Sequence, residues 1–226
     1  VVRDGVVWGA GGLDVGTGVG LCGQGAEGLA HCYREQDLYS GDIRSLALDR
    51  SDDRWIGALG GIGVYSEGRY DRHYGPAEGL PNADVRSLTF DEYGTLWAGT
   101  GLGVARLRDG EWSLRHSRRW LLSDDVRDVA FDGRGTAWIA TGAGVSAIRR
   151  REMTLEQKAE YYLDICHKRH IRAPYIVEKC WLPEPGDYSV WEARDDDNDG
   201  TWTAMYMAME SDRKSFGWGK CVDRGR

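Results

Sequence analysis

The sequence predicts a mainly β fold, a row of four-stranded antiparallel units followed by a shorter helical segment. Three observations carry this prediction. A passage of about forty residues is written three times, beginning at Ile43, Val85 and Val126. Within it Trp55, Trp97 and Trp138 fall in step, as do Asp49, Asp91 and Asp132, and the pairs Gly63-Val64, Gly103-Val104 and Gly144-Val145. Beyond Arg150 the repeat stops and an apolar spacing of about three or four residues replaces it. A period of this length means that each unit is one supersecondary piece stacked on its neighbours.

The unit beginning at Val85 shows its elements most plainly. Residues 85–90 alternate faces, as a strand requires. Asp91-Glu92-Tyr93-Gly94 reads as a hairpin turn, with Asp able to accept from a nearby backbone amide and Gly able to take a positive φ. Thr95 to Thr100 is a second strand carrying Trp97, and Val104 to Leu107 a third. Asp109-Gly110 turns the chain into a fourth strand, Glu111 to Leu114. Four short strands per repeat is the content of one propeller blade. Trp55, Trp97 and Trp138 are expected to be structural, packed between blades, because an aromatic buries roughly 150–250 Å². Tyr74, Trp112 and Trp120 are read as exposed loop aromatics and are the better candidates to stack on a ligand.

A weaker unit precedes these. Asp4 to Ala10 matches the Trp strand, Gly28-Leu29-Ala30 matches the Gly-Val strand, and a Gly-rich loop from Gly11 to Gly25 lies between them. Gly16-Thr17-Gly18-Val19-Gly20 has no Lys-Ser/Thr ending and no following helix, so it reads as an inserted loop and not as a phosphate cradle.

Composition excludes several classes. A net charge of −7 argues against a nucleic-acid surface. Ten Trp and thirty-two Gly against five Pro fit tight turns and aromatic packing. No run approaches the length of a membrane span, and no signal peptide is visible. The chain opens within a recognisable motif and is read as a fragment of something longer. Its five Cys show no CxxC spacing, which speaks against zinc. Cys22 and Cys32 could close a loop; otherwise the five are separate thiols.

LTFDEYGTLWAGTGLGVARLRDG and the lead-in GLPNADVRSL resemble the two-component regulator propeller repeat. The resemblance spans residues 1–150, as about three and a half blades at 1–36, 37–78, 79–120 and 121–150. It implies a partial β-propeller that senses or binds a ligand outside the cytoplasm, in the periplasm or extracellularly, often a carbohydrate. A protein partner, or the remainder of the same propeller, is implied at its open edges.

After residue 150 the reading changes. Thr154 and Gln157 form a capping box opening a helix from Thr154 to His170, ended by Ala173-Pro174. His167 and His170 share a helix face and could clasp a metal or act as an acid–base pair, although basic residues in a last turn also oppose the helix dipole. Asp195, Asp197 and Asp199, followed by Gly200, fit D-x-D-x-D-G, a loop able to gather oxygens around Ca²⁺; the alternative is an acidic helix start. Tyr206 stands where an EF-hand would have Glu. The stretch from Met153 to about Glu210, with its loop-helix DDDNDGTWTAMYMA, resembles a segment that follows propellers in some bacterial proteins, which implies that residues 151–210 begin an α-helical domain. Residues 211–226 are expected to be a frayed tail. The function expected is a sensor-like, ligand-binding module. The alternatives are the propeller and truncated catalytic domain of a polysaccharide-degrading enzyme, and a protein-interaction scaffold.

Overall fold

The computed structural model describes residues 2–8, 12–18, 20–25, 28–33, 40–66, 69–117, 119–172, 176–184, 187–195 and 197–216. Two compact units result, Val1–Arg150 and Arg151–Arg226. The first is a partial β-propeller. Its first sheet runs β1 (Val2–Trp8), β2 (Gly12–Thr17), β3 (Gly20–Gly25) and β4 (Gly28–Tyr33). The second runs β5 (Ile43–Leu48), β6 (Arg54–Ala58), β7 (Gly61–Ser66) and β8 (Arg69–Tyr74). The third runs β9 (Val85–Phe90), β10 (Leu96–Thr100), β11 (Gly103–Arg108) and β12 (Glu111–Arg115). The fourth has three strands, β13 (Val126–Phe131), β14 (Ala137–Thr141) and β15 (Gly144–Ile148). Each sheet is an antiparallel meander, and β1, β5, β9 and β13 pack side by side in that order.

One carboxylate organises the first hairpin in each of the second, third and fourth sheets. Asp91 Oδ1 accepts from the amides of Tyr93 (2.9 Å) and Thr95 (2.8 Å), closing the turn. Its Oδ2 accepts from Trp97 Nε1 at 3.1 Å. Asp49 holds Trp55 (3.0 Å) and Asp132 holds Trp138 (3.0 Å) in the same way. The indole N–H is thus satisfied within its own sheet, which leaves the ring to be covered by the next sheet. Trp55 and Trp97 are each 5 % exposed, whereas Trp138 is 41 % exposed, because among the described residues no sheet covers the fourth.

The core lies in the seams between sheets. Trp55, Val64, Val85, Leu88 and Leu96 fill one seam, and Trp97, Val104, Val126, Val129 and Ile139 the next. The approach is close enough to require a residue without a side chain. A Cβ on Gly57 would lie 2.8 Å from Val85 Cγ1, and one on Gly99 2.8 Å from Val126 Cγ1.

Two polar rows also cross the seams. Arg3–Asp42–Arg44–Asp84–Arg86–Asp125–Arg127 is an unbroken alternation of charges at the start of the first strands. Asp84 binds Arg86 at 2.7 Å within its own sheet and Arg44 of the preceding one. Burial works against the Asp84 carboxylate, yet Arg86 and Arg44 hold its pKa below the ordinary range. Beside this row, Ser45 donates to Asp4 (3.1 Å) and accepts from the Leu88 amide (2.9 Å). Ser87 donates to Asp128 (2.7 Å) and accepts from Val129 (3.2 Å).

The first sheet differs from the sequence expectation. The stretch Gly11–Gly25 is not an inserted loop, since it supplies β2 and β3. Glycine belongs there because the next sheet is close: a Cβ on Gly16 would lie 2.6 Å from Ile43. Trp8 ends β1 and is not on the Trp strand. Register places Asp14 opposite Val6, as Trp55 is opposite Ala47, so a buried aspartate replaces that Trp and is neutralised by Arg54. Gly28-Leu29-Ala30 lies in β4, and the Gly-Val position is held by Gly20-Leu21. Cys22 is disulfide-bonded and lies directly opposite Cys32 in the register. In the second sheet, Gly61-Ile62 corresponds to Gly103-Val104 and Gly144-Val145, two residues before the Gly63-Val64 pair. Gly61, Gly103 and Gly144 have φ of 142°, 103° and 134°, the requirement that the dipeptide match alone did not reveal.

The second unit contains α1 (Leu155–Arg169), β16 (Ile171–Arg172), β17 (Ile176–Val177), β18 (Lys179–Trp181), β19 (Glu192–Arg194) and α2 (Asp199–Phe216). Thr154 and Gln157 form the reciprocal capping box, with bonds of 3.1 and 3.0 Å. The pairs β16–β17 and β18–β19 are short antiparallel ladders. Ser211 to Phe216 continue α2 and are not a tail, because nothing in that stretch breaks a helix; residues 217–226 lie outside the described residues.

Replacing Asp91 with Ala leaves three N–H donors without their acceptor and is expected to cost about 2–4 kcal/mol in urea unfolding. Asp91→Asn restores only part, since its amide would meet the Trp97 donor. A loss under about 0.5 kcal/mol for the Ala variant would exclude the role. Bonds from the Thr136 backbone and Trp138 lower the Asp132 pKa to about 2. Its contribution is therefore full above the ordinary aspartate pKa of about 3.8 and is lost as pH falls through about 2. Carboxyl-carbon NMR titration should place its midpoint there; an ordinary midpoint would contradict the geometry.

Candidate functional site

Repeat positions separate the seam that is sealed from the seam that is open. Across β6–β7, Trp55 faces Val64, and Tyr74 at the end of β8 stacks on Trp55 with ring centroids 5.6 Å apart and planes 7° apart. Trp112 meets Tyr74 edge-on at 5.6 Å, and Phe90 meets Trp55 at 5.6 Å. Tyr74 and Trp112, two of the aromatics expected to stack on a ligand, are thus half-buried seam residues engaged with one another.

In the next seam the same positions are cationic. Trp97 faces Arg106, and Arg115 holds the place of Tyr74. The Arg106 guanidinium lies 4.4 Å from the Trp97 ring centroid. A cleft of about 280 Å³ opens here, between the third and fourth sheets. Its lining includes Arg106, Arg108, Arg115, Arg149 and Arg150 together with Asp91, Glu92, Tyr93 and Trp120. Trp120, the third expected aromatic, is at its rim, 37 % exposed, with Arg115 at 5.2 Å and Arg119 at 4.9 Å from its ring. Burial and the neighbouring Arg115 push the Arg106 pKa below the ordinary arginine value; burial and Arg119 do the same to Arg115. Arg106 and Arg115 were legible in principle, since the matching positions in the other repeats are Val64, Ala147 and Tyr74.

The second unit holds the acidic group. Oxygens of Glu178, Asp195 and Asp199 lie within 4.8 Å of one another. Asp197 is exposed and outside this group: Asp199 already begins α2, so alternate aspartates do not converge on one loop. Glu178 takes its place. It is the one buried residue among those described in the unit, with its side chain 1 % exposed. Arg172 bridges Glu178 (3.2 Å) and Asp195 (2.7 Å).

His167 and His170 do not act together. His167 Nε2 is 2.8 Å from the Tyr206 hydroxyl on α2, and His170 Nδ1 is 3.1 Å from the Glu178 backbone oxygen. In these contacts the two histidines face different partners, a tyrosine hydroxyl and a backbone oxygen. Cys166 and Cys180 are free thiols whose pKa is raised by burial. They border an open groove of about 650 Å³ lined mostly by apolar side chains, including Tyr162, Trp202, Met205 and Met209. Among the described residues no helix is long and apolar enough to cross a membrane.

Residues 79–101 match the family model of the two component regulator propeller, so the third sheet begins with a repeat of that kind. The fold is similar to the extracellular domain of BT3049 from B. thetaiotaomicron, described as a hybrid two component system. The identity is 23 %, over 65 % of this chain and 21 % of that one, with a TM-score of 0.59. The extracellular domain of BT4673 from the same organism, likewise described, matches at 20 % identity over 68 % of this chain and 22 % of its own, with a TM-score of 0.55. Virginiamycin B lyase from Staphylococcus aureus shares the fold at 15 % identity, over 66 % and 55 % of the two chains, with a TM-score of 0.50. The chain spans about a fifth of the length of the first two. No curated protein matches it in sequence.

Proposed function

We propose that the chain is a sensor-like, ligand-binding propeller module that works outside the cytoplasm, in the periplasm or at the cell surface, and that its ligand is of glycan type. The observation that carries this is the cleft in the seam between the third and fourth sheets, whereas the preceding seam is closed by Trp55, Tyr74 and Trp112. The likeness to extracellular domains of two component systems supports the location and the sensing role. The cleft volume is near the lower end of the roughly 300–1,000 Å³ of small-ligand sites, which suits one end of an oligosaccharide with the remainder running along the rim. Trp120 supplies an exposed aromatic face beside it.

Isothermal titration of the chain against neutral and acidic oligosaccharides tests the proposal. Saturable heat with at least one class is expected, weakened about tenfold by Trp120→Ala. Failure of every carbohydrate to bind, alongside stoichiometric capture of one protein partner, would replace this reading with that of a scaffold.

A calcium ion at Glu178, Asp195 and Asp199 is proposed as a structural element of the second unit. Three carboxylates converge against one guanidinium, and hard cations take oxygen ligands of this type. Calcium chloride should raise the Tm of the unaltered protein, and Glu178→Gln should abolish the rise. Equal shifts in both proteins would remove the ion from the account.

A further inference from the structure

The cationic seam has a more specific chemistry than the glycan reading requires. Five arginines line one small cleft in a chain whose net charge is −7. Only Asp91 and Glu92 oppose them. Asp91 already accepts from three N–H groups, those of Tyr93, Thr95 and Trp97. Among the described residues, Arg106, Arg115, Arg149 and Arg150 form no ion pair with a carboxylate, in contrast to Arg44 and Arg86, which each hold two. Arg106 Nε is buried and has no hydrogen-bond acceptor. Arg115 donates to the backbone oxygen of Leu114 at 3.1 Å, which leaves further N–H groups of its planar fork. Arg150 stands 4.2 Å from the Tyr93 ring at the cleft wall.

Gathering like charges in a partly desolvated cleft is unfavourable unless an anion enters. The same strand positions one repeat earlier hold Val64 and Tyr74, and the arginine that lies over that seam's Trp55, Arg72, is paired with Asp71. The arginines are therefore not a demand of the fold. Guanidinium is also suited to the task, because its rigid donors match two oxygens of a carboxylate or sulfate at once.

We propose that the cleft is an anion-recognising subsite. It takes a carboxylate or sulfate group carried on a sugar ring, with Arg106 and Arg115 as the fork and Trp120 as the face beside it. The sugar rests on the function proposed above; the anion rests on the cleft alone.

The experiment is isothermal titration of the whole chain with three oligosaccharides of equal length: a uronic-acid oligomer, a sulfated oligomer and a neutral one. One of the two acidic oligomers is expected to bind at least tenfold more tightly than the neutral one, and its Kd should rise as sodium chloride is added. The Arg106→Gln/Arg115→Gln double variant should lose at least tenfold in affinity for it, while Arg69→Gln, an exposed arginine on β8, retains it. The two acidic arms separate carboxylate from sulfate. Neutral and acidic oligomers binding equally, with no salt dependence, would overturn the anion subsite and leave the glycan reading standing. No binding of any oligomer by the folded wild-type chain would overturn both. If the double variant does not fold, the salt series and the neutral comparison on the wild-type chain decide the matter.

Discussion

The architecture of the second, third and fourth sheets depends on a single aspartate used twice in each. Its first oxygen closes a hairpin by accepting from two backbone amides, and its second fixes an indole N–H six residues on. A Trp in a sheet seam has a polar atom that must be satisfied. Supplying the acceptor from the turn of the same sheet means that no neighbour has to do so. The neighbour is then left to provide apolar cover, Phe90 over Trp55 and Phe131 over Trp97. Each sheet thereby prepares its own half of the seam before the next sheet arrives, which suits a fold assembled from repeats that contact only their neighbours.

Much of this was legible from the sequence, and the limits have physical causes. The step of Asp49, Asp91 and Asp132 with the three Trp announced both the turn and the seam. The helix beginning after Thr154 was equally plain, because a capping box is local and complete in four residues. The first sheet was not legible, because its Trp position is occupied by Asp14 and its strands are rich in glycine. Glycine there serves the close approach of a neighbouring sheet, a contact that no local pattern encodes. Asp42-Ile43-Arg44, Asp84-Val85-Arg86 and Asp125-Val126-Arg127 stand in the sequence as a repeated motif, but nothing in it says that each Arg reaches an Asp some forty residues away. The site was read least well. Asp195, Asp197 and Asp199 looked like one loop because they alternate, yet α2 begins at Asp199 and the third carboxylate comes from Glu178 on another segment. Tyr74 and Trp112 were read as loop residues, yet they lie on β8 and β12 and turn into the seam.

The two seams illustrate how a repeat scaffold acquires a site. The Asp–Trp bond and the Phe that covers the indole are the same in both. Val64 gives way to Arg106 and Tyr74 to Arg115, the fourth sheet has three strands among the described residues and so no counterpart of Trp112, and the closed contact becomes a cleft with five guanidinium groups in its walls. Since the frame is held by other interactions, these positions are free to vary with the ligand. The proposed site lies where the sheets depart from the repeat.

The alternating arginine–aspartate row has a geometric consequence. Each sheet offers its arginine to the sheet that follows and its aspartate to the sheet that precedes, so the two surfaces of a sheet are different. Contacts of this kind are heterologous. They join head to tail and cannot pair a surface with its own copy about a twofold axis. Any body that docks on the Arg127 surface in continuation of the row must present the aspartate-bearing side, and repetition of that step leads to a closed ring or an open stack, never to a symmetric face-to-face dimer.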